Sequence, residues 1–239
     1  MAWSEGPQWG LRLLPRRKRR ALEAAIGGTR MDIANTSYAS FEELLPDCRG
    51  TGGALGRRCA EVLGGRDPRA ATRFADDLGV ALTLVELLRD LPEHAQRGCV
   101  CIPAQELVRY HLHDDGALDA QALSALALQG RTAEPSVIDG FDGGDVGQLY
   151  ALMRFQALRA RDWLHRGAPL VLLLDRRSAT YVTAAIGSAR RLLRNIEKRP
   201  EEALRAPISL SRRERAWVLS KALLRPYRVS EQHPAERLL

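Results

Sequence analysis

The chain has 239 residues, of which 45% are hydrophobic, 27% charged and only 5% aromatic, a balance that fits a globular protein and excludes a disordered polymer. Thirty-six basic against 29 acidic residues leave a net charge of +7, which favours phosphate-bearing substrates, an anionic membrane face or nucleic acid. No aromatic interleaving and no Cys/His finger spacing selects nucleic acid, so no such partner is expected.

Only three of the basic residues are lysine (Lys18, Lys198, Lys221), so part of the excess is an arginine bias spread along the chain. Four cysteines (Cys48, Cys59, Cys99, Cys101) are too few for a disulfide scaffold and suit a reducing compartment. Apolar runs such as residues 168–174 are too short to cross a bilayer. No charged-then-apolar leader opens the chain, and a cytoplasmic location is therefore expected.

In chain order, the run Arg16-Arg17-Lys18-Arg19-Arg20 reads as the basic end of a first helix. The competing reading is a patch for an anionic membrane, peripheral to its inner face. Phe74, Leu78, Leu82, Val85 and Leu88 recur at spacings of three and four, which predicts a helix over 73–91 with Pro68 near its start. Residues 130–147 are rich in Gly, Asp and Pro and read as a loop. A helix follows over about 146–165, ending at Gly167, then another over about 178–197 that stops before Pro200. The last spans about 211–224, opened by Ser209 or Ser211 and closed by Pro226. Strand alternation is scarce, so the fold class is all-α. Residues 1–226 form one domain and 227–239 a frayed tail.

Glu86 and Asp90 lie four apart on the polar side of the 73–91 helix, with Glu93 and His94 placed to extend the row. Carboxylates on one helix face are how a protein offers oxygen ligands to Mg²⁺. The same spacing is common on solvated helix faces. Cys99 and Cys101 with His111 and His113 could bind zinc, at a spacing unlike that of common fingers, and chance substitution is the better account.

Longer runs carry a resemblance. Residues 75–103, ADDLGVALTLVELLRDLPEHAQRGCVCIP, resemble the second aspartate-rich motif of squalene/phytoene synthases, roughly LGxALQxTNxLRDxxEDxxxGRxYLP. Tyr38 to Gly56 is similar to that family's Y-x-x-[FY]-x-x-L-x-x-Y-C-x-x-x-A-G-x-x-G block, and Gly28 to Asp32 to its G-M-x-x-D. Arg159 to Gly167, Arg190 to Leu193 and Ile208 to Leu210 follow its C-terminal helices. The flavour is nearest to bacterial presqualene diphosphate synthases, with phytoene synthases next.

The resemblance implies an isoprenoid-synthase-type helical bundle. It implies a transferase of the farnesyl-diphosphate farnesyltransferase type, joining two prenyl diphosphates head to head with Mg²⁺, and with NADPH where squalene is the product. It places Asp90, Arg89 and Tyr38 in catalysis, and Asp90 with Glu86 at the metal, His94 standing where the family has a second Asp. It places Asp32, Gly53, Gly56 and Arg97 at the diphosphate.

The departures from the pattern fall on the chemistry. Leu13 to Leu22 resembles the family's opening helix, but Glu23-Ala24-Ala25-Ile26-Gly27 then runs straight into the Gly28 block. Several N-terminal helices, and the first aspartate-rich motif with them, are expected to be missing. Glu86 stands for the family's Asn, Thr83 for its Gln, Cys99-Val100-Cys101 for its Arg-x-Tyr, Asp47 for the Tyr of Tyr-Cys, and Ala189 for a later Tyr. Histidine is a poor ligand for hard, oxygen-seeking Mg²⁺. The expectation is a family member whose turnover is impaired or lost. The alternative is a non-catalytic protein that assembles with itself or with an intact synthase.

Overall fold

The structure is a computed structural model that describes residues 12–27, 38–96, 101–112, 143–205 and 207–224. Asp32, Arg97, Cys99, His113 and the tail beyond 224 lie outside the described residues. Those that are described form helices α1 (Arg16–Gly27), α2 (Phe41–Cys48), α3 (Ala54–Leu63), α4 (Pro68–Arg89), α5 (Leu91–Gln96) and α6 (Ala104–Arg109). After these come α7 (Gly143–Gly167), α8 (Leu170–Leu173), α9 (Arg176–Lys198), α10 (Pro200–Arg205) and α11 (Arg212–Leu224), with a π-helical turn at Arg49–Gly53 between α2 and α3. No strand occurs among the described residues, and the helices pack as one all-α bundle.

The helix expected over 73–91 is α4, and it starts five residues earlier. Asp67 caps it by accepting from the Arg69 and Ala70 amides at 3.0 Å each, and Pro68 takes the first helical position, where its missing N–H costs nothing. Buried residues occur on every side of its second half, from Leu78 to Leu88. A helix apolar all round belongs at the centre of a bundle, and α4 packs against α3, α7, α9 and the π turn. It ends at Arg89 because Pro92 cannot extend an unbroken helix. The backbone does not turn away, however: the His94 amide still donates to the Asp90 carbonyl at 3.0 Å.

The π turn passes close over α4. A Cβ on Gly52 would overlap the Gly79 carbonyl, and one on Gly79 would overlap Gly52. Glycine at both positions brings the two backbones into direct contact, closer than any other pair of residues permits.

The basic run on α1 is used partly inside the molecule. Lys18 Nζ donates to the Leu63 carbonyl at 2.5 Å, to Asp175 Oδ2 at 2.5 Å and to Ser178 Oγ at 3.0 Å. One ammonium therefore ties α1 to the end of α3 and the start of α9. A compact head with three donors suits this task better than a planar guanidinium. Helix α11 is opened by Ser211 rather than Ser209. The Glu214 amide donates to Ser211 Oγ at 3.2 Å and the Ser211 amide to Glu214 Oε2 at 2.9 Å, a reciprocal capping box. Helix α7 begins at Gly143, so its first turn comes from residues expected to be loop.

Candidate functional site

An apolar bore runs between the π turn with α3, α4 and α9. Leu55, Cys59, Leu78, Leu82, Val182 and Ala185 are among the side chains that line it, and Glu86 and Arg89 bring its charge from the last turn of α4. Small residues on α9 (Ala185, Ser188, Ala189) leave the bore its width, because no bulky side chain there fills it. The other end carries Cys59 and Tyr181. Burial pushes the Cys59 thiol up to about 12, so it is an apolar wall group rather than a nucleophile. Burial likewise raises the Tyr181 hydroxyl above its ordinary value.

Arg89 and Asp90, both expected in catalysis and Asp90 also at the metal, are bound to each other. Arg89 Nε donates to Asp90 Oδ1 at 2.8 Å and Nη2 to Oδ2 at 2.7 Å, with side-chain exposures of 14% and 9%. Both carboxylate oxygens of Asp90 thus accept from a guanidinium in the bidentate fork that arginine makes best. The pair exists because α4 ends here: Asp90 leaves the helix at φ −99° and ψ 14°, which swings its carboxylate toward the preceding residue.

Tyr38 is buried, and its Oη donates to Asp47 Oδ2 at 2.6 Å. Asp47, standing where the resemblance expects a tyrosine, is the partner that fixes it. Gly53 and Gly56, expected at the diphosphate, press on α4: a Cβ on either would collide with the Asp76 carboxylate or the Ala75 carbonyl. Close packing therefore accounts for glycine at both. Of the zinc candidates, Cys101 is part of the buried core and His111 is exposed just after α6, while Cys99 and His113 lie outside the described residues.

Two polar clusters escaped the sequence reading. Asp76 is buried on α4 and accepts from Arg49 Nη1 at 2.9 Å and from Arg57, while Arg49 also reaches Asp77 at 3.8 Å. Burial raises the Asp77 carboxyl, with Arg49 opposing it. The signal was present as two adjacent acids interrupting an apolar helix. In the second cluster Glu106 accepts from Gln156 and Arg159, and Arg159 lies 4.1 Å from the Phe41 ring centroid and 4.8 Å from that of Phe155. This fastens α6 and α2 to α7.

Magnesium fits the described donor set poorly. Asp90 offers no carboxylate oxygen that is not already accepting from Arg89, and His94 presents nitrogen where a hard cation prefers oxygen. Among the described residues, no group of three or more His, Cys, Asp or Glu side chains is placed to hold a metal ion.

The family described as squalene/phytoene synthase matches residues 11–214. The phytoene synthases of Mycobacterium bovis and Mycobacterium tuberculosis are each 36% identical over 202 residues, which cover 83% of this chain and 59% of theirs. The 15-cis-phytoene synthase of Synechococcus elongatus is 26% identical over 191 residues, covering 75% of this chain and 54% of its own. This chain thus spans less than two thirds of the length of these curated relatives. Among solved structures, YisP from Bacillus subtilis superposes with a TM-score of 0.68 at 20% identity, covering 92% of both chains. A dehydrosqualene synthase in complex with ligand gives a TM-score of 0.63 at 18% identity, covering 85% of this chain and 64% of that one. At such identities the structural likeness speaks for the fold.

Proposed function

This chain belongs to the squalene/phytoene synthase family, and from that premise we propose that it binds a prenyl diphosphate of isoprenoid biosynthesis while its head-to-head condensation is impaired. The observation that carries the binding reading is Arg89 at the charged end of an apolar bore, and the impairment rests on the first aspartate-rich motif missing from the sequence between Leu22 and Gly28. The bore supplies a dry channel for a hydrocarbon tail, and Arg89 is the cationic side chain among its described lining. A guanidinium already in a bidentate pair can orient a phosphate oxygen but adds little net charge to neutralise a departing diphosphate.

In the family, magnesium supplies the electrostatic stabilisation of that leaving group. With Asp90 committed to Arg89, no step is assigned to a metal here. The work left to the chain's own residues is to hold the tail between α4 and α9, exclude water from it, and seat the diphosphate near Arg89.

The test is to incubate the purified full chain with farnesyl or geranylgeranyl diphosphate and Mg²⁺, with and without NADPH. Product formation and the thermal midpoint are followed together. Either ligand should raise the midpoint, by an amount equivalent to about 2.7 kcal/mol at a hundredfold excess over Kd, without a condensed product. Presqualene diphosphate, squalene or phytoene formed at ordinary enzyme rates overturns the impairment. A stable oligomer whose midpoint ignores both ligands overturns the binding and leaves an assembly role instead.

A further inference from the structure

The outer face of α11 combines features that no catalytic reading absorbs. Three of its large apolar side chains stand in solvent: Trp217 at 46% exposure, Leu223 at 52% and Leu224 at 80%. Arg213, Trp217, Lys221 and Leu224 follow one another at spacings of four, four and three, so they form one row along the helix. Arg212 and Arg215 are exposed as well.

The single acid of α11 is withdrawn from that face. Glu214 accepts from Arg191 Nε at 2.8 Å and Asn195 Nδ2 at 3.1 Å, both on α9, and from Ser211 of its own cap. Val218 and Ala222 are the buried contacts of α11 and point the same way. What α11 shows to solvent therefore carries no acid: it is cationic and apolar, with Ser220 as a neutral polar side chain among them. Trp217 has the Lys221 ammonium 4.5 Å from its ring centroid and the Arg191 guanidinium at 5.7 Å, an apolar plate rimmed by positive charge.

We propose that this face of α11 docks the protein on an anionic lipid bilayer. Tryptophan and leucine enter the boundary between headgroups and acyl chains, while the Lys and Arg heads snorkel to lipid phosphates. The charge complementarity favours this occupant over a second copy of the chain, which carries the same +7. Three apolar side chains are also too few for the roughly 1,600 Å² that a stable protein interface buries. Contact is peripheral: no helix among the described residues is long and apolar enough to span a membrane. The basic run of α1, the sequence-level candidate for this contact, is weaker, since Lys18 is spent on α3 and α9 and Arg19 lies 3.9 Å from Glu23.

The experiment is co-sedimentation of the purified full chain with phosphatidylcholine vesicles, with and without phosphatidylglycerol, at low and high salt. Binding should require the anionic lipid, weaken with salt, and fall about tenfold in Trp217→Ser, a loss of the size expected when one large apolar side chain stays in water. Lys221→Glu should show a similar loss, and Arg17→Gln on α1 should bind like the parent. Unchanged thermal midpoints confirm that these exposed substitutions leave the fold intact. Equal binding by Trp217→Ser and Lys221→Glu overturns the proposal, as does a loss confined to Arg17→Gln. A dimer in lipid-free solution that Trp217→Ser dissociates also overturns it, because a second copy then covers the face. Vesicle binding is read without substrate, so its failure is separate from any failure of prenyl binding.

Discussion

Replacing Asp90 by Asn separates the two roles open to that carboxylate. As the partner of Arg89 it neutralises a guanidinium that is only 14% exposed, through contacts of 2.7 and 2.8 Å. Removing one member of a buried pair leaves the other charged and unpaired, which costs about 3–5 kcal/mol in deeply buried cases. The residual exposure places this pair near the lower end, at about 3 kcal/mol. For a urea dependence of about 2–3 kcal/mol per molar, the unfolding midpoint of Asp90→Asn should drop by roughly 1 M. Arg89→Leu with Asp90→Leu should recover most of the loss, because it removes both charges together. If Asp90 were instead held for a metal, its charge would be a strain in the metal-free protein. Asp90→Asn would then be neutral or stabilising, and Mg²⁺ would raise the midpoint of the parent alone. That pattern refutes the pairing and reopens catalysis.

Lys18→Met should lose about 1–2 kcal/mol, because the Leu63 carbonyl and Asp175 give up their common donor. Since Asp175 is half exposed, a denaturation series should place the effect toward the lower value. Gly79→Ala puts a methyl group onto the Gly52 carbonyl and should cost about 3 kcal/mol or more, read as a lowered thermal midpoint, whereas Gly147→Ala, with open space around it, should be tolerated. For Glu214, burial alone would raise the carboxyl, but hydrogen bonds from Arg191, Asn195 and Ser211 outweigh it and hold the group at about 2 against an ordinary 4.5. A depressed folded-state value means stability present above pH 4.5 and lost as pH falls toward 2. Glu214→Gln should therefore cost about 2 kcal/mol at pH 7, after discounting for solvent around Arg191, and little below pH 2; an equal cost at both pH values would refute the assignment.

The long helices were legible where apolar residues recur at spacings of three and four, as on α9, or where boundary residues bracket them, as on α11. Val218 and Ala222 are spaced for α9, and Leu78, Val85 and Leu88 for the core. Their ends were legible where a residue type marks a boundary, as Pro68 does at the first position of α4 and Ser211 does as the cap of α11. The short helices α5, α6, α8 and α10 span four to six residues each, too few for a period to register, and they form because neighbours bury them. The π turn was invisible for a related reason. Its residues Arg49-Gly50-Thr51-Gly52-Gly53 have poor helix propensity, and only contact with Gly79 explains why they coil.

The site was legible as a set of positions and not as a set of bonds. Motif spacing locates Arg89 and Asp90 at the end of α4, but it cannot say that they face each other. That depends on the helix stopping between them, which Pro92 imposes from two residues away. The same holds for Tyr38, whose hydroxyl meets Asp47 because a carboxylate stands where the motif has a phenol. At Tyr38 the replacement thus does more than delete a phenol, since it supplies a new partner for the residue that was kept. A carboxylate that already accepts two charge-assisted hydrogen bonds from a neighbouring arginine has its charge partly neutralised and attracts a cation less strongly, so a surviving Asp90 is weaker evidence for catalysis than its position in the motif suggests.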